Sequence, residues 1–140
     1  MAGVGNIFDI GARAMSAQMV RMNTVASNLA NANTVAGSET GAYRALRPVF
    51  ETAYDDAVAE NGRATTDVAD VVMLDRTPEK VFRPDSPLAD KQGYVWKAAV
   101  NTDEEMVEMT EASRQYQNTL EAMSTVRTLM ARTVSMGGQG

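Results

Sequence analysis

Four carboxylates in the middle of the chain, Asp55-Asp56, Asp67 and Asp70, are the residue type that a calcium or magnesium site needs. They lack the bend glycine and the closing glutamate of an EF-hand loop, so their spacing supports a solvated acidic face. Thr65, Thr66 and Ser86 carry hydroxyls, but the chain has no histidine to activate a nucleophile and no cysteine to act as one. Without cysteine there are also no disulfides and no thiolate metal sites. The sequence thus presents no catalytic, cofactor-binding or metal-binding constellation, and a non-enzymatic role is expected.

The polar groups that remain conspicuous are amides. In ASNLANANT, Ala26 to Thr34, the asparagines Asn28, Asn31 and Asn33 crowd the end of a helical pattern. Asparagine favours caps and turns over helix interiors, and Asn31 and Asn33 suit a helix end. Asn28 lies a full turn earlier and shares a face with Asn31, next to Leu29. An amide at a helical interface costs stability and can set register, which is a reason to place one where packing must be specific.

Two long helices must position these groups. Phe8, Met15, Met22 and Leu29 recur every seventh residue, with Ala12, Met19 and Ala26 four residues after the first three. That is one apolar stripe, and it predicts a helix over about 7–32, with Asn6 as N-cap and Asp9 in the first turn. In the last third, Met109, Tyr116, Met123 and Met130 form a second heptad row. Met106, Leu120 and Val134 lie on an adjoining row, interrupted by Ser113 and Arg127. A helix over about 103–135 follows, opened by a capping box of Thr102 and Glu105. Arg127 and Arg132 are expected near its end and Gly137-Gly138 at its stop. Between the helices, YRALRPVFETAY, DVADVVML, KVFR and GYVWK read as short strands broken by Asn61-Gly62, Pro84 to Pro87 and Gly93.

The expected fold is mainly α with a small β or extended middle. It divides into an N-terminal helix (1–36), a middle region (37–100) and a C-terminal helix (101–140) that packs back on the first as one discontinuous domain. The helices are expected to pair as a coiled coil, antiparallel or parallel, through Phe8, Met15, Met22 and Leu29 against Met109, Tyr116, Leu120, Met123 and Met130. Two helices bury little by themselves. Ile7, Ile10, Val20, Val107, Val126 and Leu129 fall off the stripes and need a further surface, so assembly with other subunits is expected.

Composition narrows the partners. The net charge is −5 with no basic cluster, which disfavours nucleic acid. No apolar run approaches the roughly 20 residues of a membrane span, so direct membrane insertion is not expected. MAGVGNIFDIGARAM lacks the basic start and apolar core of a cleaved signal peptide. Ten methionines suit surfaces that repack against several neighbours.

Four blocks carry a resemblance that covers well over half the chain: NIFDIGARAMSAQMVRMNTVASNLANANT, GAYRALRPVFE, SPLADKQGYV and EEMVEMTEASRQYQNTLEAMSTVRTLM. In this order they resemble the flagellar rod and hook axial proteins, whose N-terminal helix ends on Ala/Ser-Asn-x-Ala-Asn-x-x-Thr. The short length and the PLAD-x-x-GYV block are similar to a subunit of the proximal rod. The resemblance implies a structural subunit of the basal-body rod, in the periplasmic space, assembling with copies of itself and other rod proteins into a drive shaft. It implies export by the flagellar type III apparatus without cleavage, as a largely unfolded chain whose termini become helical in the rod. Asn28 and Asn31 would then make interhelical or intersubunit contacts, while Asn33 and Thr34 end the helix. The alternatives are another axial protein or, further off, a coiled-coil export chaperone.

Overall fold

A computed structural model describes residues 2–53 and 65–138. Asp55-Asp56 and the Asn61-Gly62 turn lie outside the described residues. Helix α1 (Ala2–Asn31) and helix α2 (Thr102–Gly137) flank five strands: β1 (Val35–Ala36), β2 (Leu46–Ala53), β3 (Thr65–Met73), β4 (Glu79–Phe82) and β5 (Tyr94–Lys97). The four segments read as strands are β2 to β5.

The helices run antiparallel along each other. Gly11 faces Met123, Gln18 bonds Gln115 at 3.4 Å, Arg21 meets Glu108 at 2.7 Å, and Asn28 meets Glu105 at 2.9 Å. Residue numbers rise on one helix as they fall on the other. Close approach is possible because small residues fill the seam. Gly11 is buried, and a Cβ on it would stand 2.8 Å from Met123 Cγ. Ala112 on α2 is fully buried.

The row Met109, Tyr116, Met123 and Met130 lies half-buried on α2, and Phe8, Met15, Met22 and Leu29 lie half-buried on α1. Leu120 does not join them. It is 50% exposed, and Met106 and Val134 of the same row are 61% and 65% exposed. The second row turned inward is Glu105, Ala112, Thr119 and Val126. Both rows adjoin the methionine row, one on each side, because i±3 and i±4 positions are both helical neighbours. The smaller, more polar row wins because it permits close approach at Ala112 and brings Glu105 to partners elsewhere in the chain.

The helix ends also differ from expectation. Helix α1 already begins at Ala2, so Asn6 lies inside it and Asp9 is past the first turn, paired instead with Arg13 at 3.3 Å. Asn101, not Thr102, caps α2. Its Oδ1 accepts from the N–H groups of Asp103 and Glu104 at 3.1 and 3.2 Å, and this leaves Glu105 free to turn inward. Gly138 ends α2 with its N–H on Val134 O, while Arg127 and Arg132 fall short of the last turn.

Strands β2 and β3 pair antiparallel from Leu46–Met73 to Ala53–Thr65, with a bulge at Ala69 between the Val49–Asp70 and Phe50–Val68 pairs. This ribbon lies against α1, where Arg13 reaches Thr65 and Asp67. Asp70 accepts from the N–H of Val71. A second antiparallel sheet has the order β1-β5-β4. The PLAD-x-x-GYV block forms its turn. Asp90 Oδ1 accepts from the N–H groups of Gln92 and Tyr94, both at 2.9 Å, and Gly93 adopts φ +84°. Ser86 belongs to the same turn, its hydroxyl accepting from the Leu88 N–H.

Candidate assembly site

The N-terminal end of α2, the C-terminal end of α1 and the start of β2 meet at Asn28, which is completely buried. Its Nδ2 donates to Leu46 O and to Glu105 Oε2, both at 2.9 Å. Its Oδ1 accepts from the Tyr43 hydroxyl at 2.9 Å and from the Leu46 N–H at 2.8 Å. A carboxamide has two N–H groups and two lone pairs, and here all four are used. The bonds to both N–H and C=O of Leu46 make this α1 side chain act as a strand partner for β2, with a further bond to Glu105 of α2.

Glu105 is the other fully buried member. Besides Asn28, its Oε2 accepts from Arg47 Nη1 at 2.9 Å. Its Oε1 lies 2.6 Å from Arg47 Nη2, a charge contact in which the oxygen takes no aligned hydrogen bond. A buried carboxylate requires a paired cation and further donors, and Arg47 and Asn28 supply them. Burial works against the Arg47 charge, but the Glu105 hydrogen bond and the charges of Glu105, Glu108 and Glu104 outweigh it and raise its pKa. Beside this pair, Arg76 grips Glu104 through two parallel bonds of 2.7 and 2.8 Å. The Arg76 hydrogen bond holds the Glu104 carboxyl below the usual range. Arg21 and Glu108 extend the ionic chain along the helix seam.

The other two asparagines behave differently. Asn31 Nδ2 donates to Ser27 O in its own helix, and Thr34 closes α1 with its N–H and hydroxyl on Asn31 O. Asn33 is exposed. Sequence reasoning singled out Asn28 but missed Tyr43, Arg47, Arg76 and Glu104, and it assigned Glu105 to a cap. The available signal was a glutamate in heptad step with Ala112, a position that turns inward only if a cation meets it.

Two family models match separate parts of the chain. A model of the flagella basal body rod protein family matches residues 8–37, and one of the flagellar basal body rod FlgEFG protein C-terminal region matches residues 91–136. A flagellar basal-body rod protein FlgC from Escherichia coli O157:H7 is 41% identical over 132 residues, 94% of this chain and 96% of that protein. The FlgC of Salmonella typhimurium is 42% identical over the same shares, and that of Aquifex aeolicus is 36% identical over 95% and 96%. The chain belongs to the FlgC family of flagellar basal-body rod proteins. The first matched segment contains Asn28 and the second contains Glu105, so the two parts that mark the rod families meet at this buried contact. Tyr43, Leu46 and Arg47, which complete it, lie between them.

Proposed function

We propose that this chain is a structural subunit of the flagellar basal-body rod, stacking with copies of itself and with other rod proteins into a shaft that transmits torque. The observation that carries the reading is the relationship to FlgC proteins along 94% of the chain. The exposed side chains support it. Met106, Val107, Leu120, Leu129, Val134 and Met136 leave an apolar surface on α2 that an isolated subunit does not cover. Neighbouring subunits would cover it in a coiled-coil layer, in which 1–36 and 101–140 act as one discontinuous domain around the 37–100 middle. Phe8, Met15, Met22, Met109, Tyr116, Met123 and Met130 would hold the two helices together, and Leu120 would face a neighbour.

The subunit would leave the cytoplasm through the flagellar type III apparatus with its N-terminus intact. Its mechanism needs stiffness and specific stacking, with no bond made or broken. No described helix is long and apolar enough to cross a membrane. The test is isolation of basal bodies from cells whose only copy is this chain, with intact-mass measurement of the incorporated protein. The chain should be found in the rod fraction beginning at Met1 or Ala2. Its absence from basal bodies in motile cells would overturn the rod reading, and removal of the first helix would overturn the export reading.

A further inference from the structure

Asn33 is the one asparagine of ASNLANANT whose side chain bonds nothing among the described residues. It lines a depression of about 190 Å³ together with Val35 of β1, Val81 of β4, Arg83 just beyond it, and Lys97 of β5. Three chain segments therefore bring an amide, a guanidinium and an ammonium to one concave place. Neither Arg83 nor Lys97 has an ion-pair partner among the described residues. Lys97 stands opposite Glu79 in the β4–β5 register, yet the two form no ion pair. Among the described cations, Arg13, Arg21, Arg47, Arg76, Lys80 and Arg114 each hold a carboxylate, whereas Arg44, Lys91, Arg127 and Arg132 form no ion pair either; Arg83 and Lys97 are set together in one depression.

The chain as a whole is acidic, with 13 basic and 18 acidic residues. The depression offers donors from Arg83, Lys97 and Asn33 and has no carboxylate in its lining, so its complement is an anion with several acceptor oxygens. The chain itself presents carboxylates with no cation partner among the described residues, including Asp75, Asp85 and Glu121.

We propose that this depression is a docking site for a side-chain carboxylate of a second copy of this chain. Arg83 and Lys97 clamp its charge, and Asn33 completes its hydrogen bonds. The inference rests on the rod reading and deepens it, by moving one specific subunit contact from the helices to the small sheet. It also gives a role to the third asparagine, which lies just beyond α1.

Carbodiimide, which joins an amine to a carboxylate without a spacer, tests the contact in isolated basal bodies. Mass spectrometry should find Lys97 joined to an aspartate or glutamate peptide of a second copy. Paired with this, R83E/K97E should leave the thermal midpoint of the isolated chain and its export unchanged. Its amount in basal bodies should fall at least about ten-fold, because like charges across an interface repel strongly. R83Q/K97Q should fall in the same direction, and R83K/K97R should stay near the wild-type level. Wild-type incorporation of R83E/K97E overturns the proposal. So does Lys97 joined only to another protein, or saturable binding of inorganic phosphate at Arg83 and Lys97 with no cross-link between subunits. If the wild-type chain itself is missing from basal bodies, the rod reading fails first and is seen to fail independently of the variants.

Discussion

The two ends of α2 are held by opposite chemistry. At its N-terminal end, Glu104 and Glu105 are gripped by Arg47, Arg76 and Asn28, and Glu105 has no exposed surface. At its C-terminal end, Leu129, Val134 and Met136 are more than half exposed, and the side-chain hydrogen bonds there, among the described residues, stay within the helix. Polar groups are buried where apolar ones would be expected, and apolar ones are bare. The physical reading is that the first end is completed within one chain. A buried network of paired charges and a fully bonded amide tolerates few alternative geometries, since displacement leaves a donor or charge unpaired. The second end has a loose, methionine-bearing surface that gains its stability from whatever covers it.

Removing the network should have the largest effect. Glu105→Ala would leave the Arg47 guanidinium, whose side chain is only 17% exposed, without its buried partner, at a cost of about 3–5 kcal/mol. Asn28→Ala should follow, stranding the Tyr43 hydroxyl and both backbone groups of Leu46 at about 1–3 kcal/mol per lost contact. Urea unfolding of the purified chain would measure both. If either variant unfolds like the wild type, the tight end is not tight.

Gly93→Ala comes next. The φ of +84° is unfavourable for alanine, and its Cβ would stand 2.8 Å from Phe82 Cε2, so a loss of about 1–3 kcal/mol is expected. The damage should stay in the β4–β5 turn, visible as lost amide protection at Tyr94 and Gln92 with the helix pair intact. Spread of the loss to α1 and α2 would mean that the small sheet and the helix ends are one cooperative unit.

Acid should loosen the tight end selectively. The Arg76 hydrogen bond lowers the Glu104 pKa in the folded chain, with the Arg76 and Arg47 charges adding to it and burial opposing. A depressed folded pKa means that this stabilisation is full above the unfolded carboxylate value, near about 4.3, and is lost as pH falls through the lower folded value. Unfolding midpoints followed from neutral to acid should drop in that window, and Glu104→Gln should flatten the drop. An equal drop in the variant would place the acid sensitivity elsewhere.

Leu120→Ala should have the smallest effect on the isolated chain, about 0.5–1 kcal/mol, because the side chain is half exposed. Under the rod reading it should nevertheless weaken assembly, scored by the subunit recovered in basal bodies. A large loss of stability in the monomer would show that Leu120 lies in the seam after all.

Much of this architecture is local and therefore readable in the residues. Heptad spacing marks two long helices, Gly137-Gly138 marks the end of one, and alternation broken by Pro84 to Pro87 and Gly93 marks the strands. The blocks around ASNLANANT and PLAD-x-x-GYV mark the family, and the PLAD-x-x-GYV block also encodes its own turn through Asp90 and Gly93. The choice between the two rows beside Met109, Tyr116 and Met123 is a different matter. Hydrophobicity favours Met106, Leu120 and Val134, yet Glu105, Ala112, Thr119 and Val126 turn inward. Helical geometry treats both rows alike, so the decision falls to groups far along the chain: Gly11 permitting close approach, and Arg47, Tyr43 and Leu46 satisfying Glu105 and Asn28. A buried charge or amide is stable only when its partners are in place. For Glu105 and Asn28 those partners are assembled by the tertiary fold.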